Sequence, residues 1–310
     1  MNFSFLKKLT EVRGASGDES RIKQFILNYI KTNQKDWAVQ PTIIEGEGFQ
    51  DTIILVFGDK PKTAIFAHMD TIGYTVGYDN NLIKIGGPQA IDGMDLEGED
   101  SLGEIQTELM IIENPDGPNE LKAIFDRTIE RGTVLTFKPN FREDENYIQS
   151  PYMDNRLGVF VALELAKTIK NGAIAFSTYE ETGGGSVGFI GKYLLDNYGI
   201  HQALISDITW VTAGVEHGKG VAISMRDKGI PRKVFLDRII DIAKHSRIPY
   251  QLEVESAGGS DGTALQHSYL PFDWCFIGAA EDHVHSPDET VHKKDIRAMV
   301  DLYKVLVDQL

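Results

Sequence analysis

The sequence predicts an α/β fold, a mixed central sheet with helices on both faces, interrupted once by a small inserted β-barrel-like module. Three observations carry that reading. Short apolar, β-branched runs alternate with helical stripes near the start and throughout the second half of the chain. Between about residues 74 and 148 the helical stripes disappear and only short strand-like segments remain. With 310 residues and 42% apolar content, the chain can bury a full core and still carry a second module. The expected division is a main domain of residues 1–73 and 149–310, with residues 74–148 as the insert.

The elements follow in order. Ile22, Phe25, Ile26, Tyr29 and Ile30 recur at helical spacing, so a helix is expected over residues 19–31, with Ser16 and Glu19 forming a capping box. TIILVF from Thr52 and TAIFA from Thr63 are β-branched runs separated by Gly-Asp-Lys-Pro turn chemistry, and read as strands. The insert contributes YTVGY, LIKIGG, GEIQTELMIIE, ELKAIF and GTVLTF, bounded by Gly, Pro, Asn and Asp. Helices are then expected near residues 157–170, 187–197 and 234–246, alternating with the strands GAIAFSTY, ALIS, VAISM and FDWCFI. Ile296, Met299, Val300, Tyr303, Leu306 and Val307 mark one face of a last helix.

Composition mainly excludes. A formal charge of -15 and a pI near 5.0 argue against nucleic acid or an anionic membrane as partner, because the average surface field repels both. Cys275 is the single cysteine and sits in a run that reads as a buried strand, so no internal disulfide is possible. No signal-peptide pattern opens the chain, and no window approaches about 20 uninterrupted apolar residues. A cytoplasmic protein is expected.

Open α/β sheets place ligands beyond the carboxyl ends of their strands. Four strand ends deliver ionisable groups: His68 and Asp70 after TAIFA, Glu180 and Glu181 after AFSTY, Asp207 after ALIS, and His283 and His285 a short loop after FDWCFIG. Asp154 lies just before an expected helix. Imidazole mixed with carboxylate suits zinc, and equally cobalt or manganese, while the lack of thiolates points to a catalytic site. Two histidines and three carboxylates exceed the needs of one open tetrahedral ion. They suit two divalent ions about 3.5–4 Å apart that share a bridging carboxylate, as in metal-assisted hydrolysis. The bridge is assigned to Asp154, a short side chain on a sharp turn. Asp70, two residues past His68, would accept the other imidazole N–H. Of the neighbours Glu180 and Glu181, one can coordinate while the other takes a proton from water. Gly183, Gly184 and Gly185 then allow close approach or positive φ behind the site.

Singly, each residue has a plainer reading. His68 or His285 could be a core histidine, Asp154 and Asp261 N-caps, Glu180 and Glu181 a solvated turn. Asp288 and Glu289 read as charges favoured at the start of the last helix. One dinuclear centre instead explains five positions and their strand-end placement together.

The strings HMDTIG from His68, PYMDNRLG around Asp154, YEETGGGS at Glu180 and Glu181, ISD at Asp207, GGSDGTA at Asp261 and HSPDE from His285 carry a resemblance. In order and spacing, and with the opening LKKLTEVRGASGDE, they resemble the tetrahedral, deblocking or glutamyl aminopeptidase family of dinuclear metallopeptidases along essentially the whole chain. The resemblance implies a zinc-peptidase-like catalytic domain that removes amino-terminal residues from short peptides. It implies one ion on His68, Asp154 and Asp207, a second on Asp154, Glu181 and His285, and Glu180 as general base. His285 rather than His283 follows from the HSP context of the resemblance alone. The insert would make dimer contacts within a hollow dodecamer, hence a homo-oligomer. Thr71, TGGGS and GGSDGTA depart from the usual pattern near the substrate pocket and subunit contacts. Two other functions compete: a deacylase or carboxypeptidase of the same clan acting on acylated amino acids, and a non-catalytic shell or interaction protein.

Overall fold

The computed structural model describes residues 1–310. Helices α1 (Ser4–Thr10) and α2 (Ser20–Asn33) lead into strands β1 (Thr42–Ile44), β2 (Ile53–Phe57) and β3 (Thr63–His68). Helix α2 buries Ile22, Ile26 and Ile30, one residue per turn along a single face. The capping box at its start does not form. The chain before α2 runs alongside Thr71, with Ser16 N–H donating to the Thr71 carbonyl. Ser16 is thereby held away from the helix start, and its hydroxyl donates to Asp70 at 2.5 Å.

Six strands follow: β4 (Gly73–Val76), β5 (Leu82–Ile85), β6 (Met94–Asp100), β7 (Gly103–Ile112), β8 (Glu120–Ile124) and β9 (Val134–Phe137). They pair in the order β5-β4-β9-β6-β7-β8. An Asn81–Lys122 bridge draws the two edges together, so the sheet curls into a nearly closed barrel around Tyr74, Leu96, Leu109, Leu135 and Phe137. Strand β6 has the sequence MDLEGED and was not expected, because four acids and a glycine mask its alternation. Met94, Leu96 and Gly98 face inward while Asp95, Glu97 and Glu99 face out; Asp100, at the strand's end, is covered by its pair with Arg127.

The chain then returns to the large sheet through β10 (Arg142–Glu143) and β11 (Tyr147–Gln149). Next come α3 (Met153–Ala166), β12 (Gly172–Ser177), α4 (Val187–Tyr198), β13 (Gln202–Trp210) and β14 (Val221–Arg226). The order closes with α5 (Lys233–Ser246), β15 (Tyr250–Val254), α6 (Asp261–His267), β16 (Asp273–Asp282), β17 (Thr290–His292) and α7 (Lys293–Gln309). The main path of the large sheet is β1-β2-β12-β3-β13-β16-β17-β11-β10, and β14 with β15 branches from β16. One face packs on α1, α2, α3, α5 and α7, and the other on α4 and α6. Apolar β strands covered on both sides are what the near-continuous hydrophobic runs require. No helix is long and apolar enough to cross a membrane.

Strands β12, β3, β13 and β16 are mutually parallel, so their carboxyl ends open on one edge. Ser177 pairs with His68, and the β3–β13 register, Ile205 beside Phe66, carries Asp207 level with His68. Strand β13 was expected to stop at Asp207. It runs three residues further because β16 stays paired with it up to Trp210–Glu281.

Candidate active site

At that edge the five expected ligands converge. His68 Nε2 lies 3.2 Å from Asp154 Oδ1 and 3.5 Å from Asp207 Oδ2. His285 Nε2 lies 3.3 Å from Asp154 Oδ2 and 3.4 Å from Glu181 Oε2. The two trios, His68–Asp154–Asp207 and Asp154–Glu181–His285, each keep their ligand atoms within 4.8 Å of one another. Asp154 belongs to both and turns one oxygen to each histidine. Glu180 Oε2 lies 3.9 Å from His68 Nε2, at the rim of the first trio. His283 joins neither trio and is exposed at the surface.

The local sequence explains how each side chain is aimed. Asp154 and Asn155 depart from helical backbone geometry at the start of α3. The Asn155 amide donates to the Ser206 carbonyl at 2.8 Å, tying this turn to the strand that carries Asp207. Glu180 and Glu181 sit on a tight turn, and both of their N–H groups donate to the Asp70 carboxylate, at 3.1 and 3.2 Å. Gly183 and Gly184, both at positive φ, complete that turn. Asp70 therefore does more than face His68 Nδ1, whose nearest acceptors are the Asp70 carbonyl at 3.2 Å and the carboxylate at 3.5 Å. It also positions the paired glutamates. Behind it, the buried Arg156 guanidinium donates to the carbonyls of Met69 and Val12.

Two supports were not anticipated. Glu289 is buried rather than at a helix start, since β17 intervenes before α7; it accepts from Asp154 N–H at 3.1 Å and His285 N–H at 2.9 Å. Asp288 does stay exposed, paired with Arg142 across the surface. The second support comes from the six-stranded sheet: His285 Nδ1–H donates to the Gly87 carbonyl at 3.2 Å, leaving Nε2 free to face the carboxylates. A methyl group on Gly87 would stand 3.1 Å from that Nδ1. Asp261 is likewise not a cap. Ser260 caps α6, and Asp261 is buried, accepting from the Ser177 hydroxyl.

Electrostatically the site holds more acid than a dry pocket keeps ionised. Burial raises Glu180 and Glu181 well above the carboxylate range, Asp207 to about 6 and Asp261 to about 7. Burial would also raise Asp154, but hydrogen bonds from His285 and His68 outweigh it and hold it low. Burial works against a charged His68, yet the surrounding carboxylates, Asp207 first, keep it protonated well above its ordinary range. Neither Lys nor Arg pairs with Asp154, Glu180, Glu181 or Asp207; their ionic partners are the two histidines. One oxygen of Glu181 is buried with no hydrogen-bond partner. Imidazole and carboxylate donors with an excess of negative charge and an orphaned oxygen fit divalent cations.

The profile of the M42 glutamyl aminopeptidase family matches residues 106–302, well over half the chain. The chain belongs to that M42 family. A candidate aminopeptidase of Acetivibrio thermocellus is 26% identical to it over 99% of this chain and 98% of its own. An aminopeptidase from the archaeon Desulfurococcus kamchatkensis superposes with a TM-score of 0.85 at 20% identity, covering 99% of this chain and 94% of that one. The Pyrococcus horikoshii TET1 peptidase, which can assemble into a tetrahedron or a large octahedral shell, superposes with a TM-score of 0.80 at 22% identity over 98% of both chains. The mixed sheet with its nearly closed six-stranded companion is thus the M42 architecture.

In this M42 chain Asp154, Glu180, Glu181, Asp207 and His285 line a cleft of about 710 Å³ that continues past Trp210 and Ser260, while His68 is buried beneath them. The supports that sequence reasoning missed had weak signals. Glu289 lies in HSPDE but is indistinguishable there from a helix-start charge. Gly86 and Gly87 could have been noticed as a glycine pair closing a strand, although nothing in LIKIGG says which histidine they approach.

Proposed function

We propose that this chain is an aminopeptidase that hydrolyses amino-terminal residues from short peptides with the help of two divalent cations, zinc foremost. The carrying observation is the pair of trios that share Asp154, with Glu180 beside them. His68, Asp154 and Asp207 would hold one ion, and Asp154, Glu181 and His285 the other. When bound, such a pair supplies Lewis acidity that eases deprotonation of water and neutralises charge growing on the scissile carbonyl oxygen. Glu180, which lines the cleft with its side chain 17% exposed, takes the proton from the attacking water and returns it to the departing amine. Asp70 holds the Glu180–Glu181 turn and faces the His68 ring, a positioning role.

Residues 1–73 and 149–310 form the catalytic domain in this reading, and residues 74–148 the module for subunit contacts. Tyr78, Ile83, Leu102 and Ile124 support the latter, as large apolar side chains left exposed on it. A homo-oligomer of dimers, up to a dodecamer, follows; a monomeric mass in solution would reject it. The one cysteine, buried and free, is compatible with a cytoplasmic setting.

The test uses metal-loaded protein and aminoacyl anilides. Free-amine substrates should turn over and N-acetylated ones should not. Glu180→Gln should retain its metal and lose about 10³-fold in kcat. Preferential cleavage of the N-acetylated series would reassign the chain as a deacylase or carboxypeptidase, and full activity in Glu180→Gln would remove that residue as base.

A further inference from the structure

The cleft has a second wall that the reaction does not use. Asp207 and Thr209 lie two residues apart on β13 and so share a face of the strand. The Thr209 hydroxyl donates to Glu253 on β15. Glu253 therefore stands about one strand repeat, roughly 7 Å, beyond the expected ligand Asp207. Asp227 and Glu255 line the same stretch.

These carboxylates are unusual for having no cation. Glu253 is 3% exposed and Asp227 8% exposed, yet neither forms an ion pair, and nor does Glu255. Their hydrogen bonds are to neutral groups: the Thr209 hydroxyl on Glu253, and the Gly229 N–H at 2.5 Å on Asp227. Lys228, the one lysine of the lining, and His267 are exposed and pair with none of them. Burial lifts the Glu253 and Asp227 carboxyls above their ordinary range, and a cation brought from outside would let them ionise in place. Beside them Trp210 lies over Gly258, its ring 3.4 Å from where a Cβ there would sit, and remains 37% exposed. An exposed indole next to carboxylates fits a long aliphatic stem that ends in a cation.

We infer that this wall, with Glu253, Glu255 and Asp227, selects peptides whose amino-terminal residue is lysine or arginine. The inference rests on the aminopeptidase reading. With the scissile bond at the ligand trios, the four-carbon stem of lysine spans the strand repeat from Asp207 to Glu253. Arginine does the same and presents a planar fork to two carboxylates. A glutamate side chain in that place would meet three acids.

The experiment compares kcat/KM for lysyl, arginyl, leucyl and glutamyl anilides on the metal-loaded enzyme, then on Glu253→Gln and Glu255→Gln. Glutamine keeps an acceptor for Thr209, and circular dichroism checks the fold of each variant. The basic anilides should exceed leucyl by about tenfold or more, glutamyl should be slowest, and the lysyl-to-leucyl ratio should fall by about tenfold in Glu253→Gln. Added salt should reduce the same ratio. Faster turnover of leucyl or glutamyl anilide, a ratio indifferent to both variants, or a basic preference found only at the second residue of dipeptides would overturn it. Those outcomes leave the aminopeptidase reading standing. No turnover of any anilide with metal bound would remove both.

Discussion

The two halves of the site are built differently. The His68 half lies wholly within the large sheet: His68 is 2% exposed at its side chain, Asp207 7%, and Asp70 behind them 0%. In the other half Glu181 is 3% exposed at its side chain but His285 is 29% exposed, and that ring depends for its orientation on the Gly87 carbonyl, in the segment that follows β5 of the six-stranded sheet. Only Asp154 is common to both. A ligand set locked in a parallel-strand edge should be rigid and integral to folding, whereas one oriented across two sheets should be adjustable and lose its cation more readily.

Removing each histidine should separate the halves most clearly. In metal-free protein, His68→Ala leaves Asp207 and Glu180 without their positive neighbour in a buried place, and should cost about 3 kcal/mol or more. His285→Ala removes a partly exposed ring, though one paired with the buried Glu181 and Asp154, and should cost less, about 1–2 kcal/mol. Both should abolish turnover. Denaturant melts of the chelated variants, with metal content measured after reloading, decide this. Equal losses of stability would break the contrast between a closed and an open half.

A smaller, sharper effect is expected from Gly87→Ala. The added methyl stands 3.1 Å from His285 Nδ1, so the ring or the loop must give by a few tenths of an ångström. Displacing a hydrogen-bonded support of a ligand should weaken one cation by about tenfold and leave the other unchanged. Activity followed against metal concentration in reconstitution should show a single shifted phase. If both phases shift together, the two halves do not load independently.

The same contrast governs what could be read from sequence. Strand ends are local signals, so His68, the Glu180–Glu181 pair and Asp207 could be picked from apolar runs that stop at an ionisable residue. The alternation of helix and strand around an all-β stretch was equally local. What stayed hidden depends on pairing across long separations. Ser16 satisfies capping chemistry on paper and is drawn instead to Asp70, 54 positions away. Glu289 looks like a helix-start charge until β17 is seen between it and α7. Asp207 ends an apolar run but not its strand, because β16 prolongs the pairing. For MDLEGED, charge outweighed the alternation that places every second residue inside the barrel.

The least dramatic expectation concerns the backing of the closed half. Glu19 is buried near Asp70, one of its oxygens has no partner, and burial lifts its carboxyl from 4.5 to about 7. The folded chain thus holds a proton that the unfolded chain gives up near pH 4.5. Its contribution to stability is fully present below that value and is lost as pH rises through about 7. Glu19→Gln cannot titrate, so the stability of the natural chain relative to this variant should decline between pH 4.5 and 7 by something on the order of 1 kcal/mol once solvent screening is allowed for. Denaturant melts of the metal-loaded proteins, in which cations would hold the proposed ligand carboxylates, isolate this group. A difference between the two proteins that stays flat across that range would mean Glu19 remains ionised in the fold, and that the backing of the closed half is wetter than its burial implies.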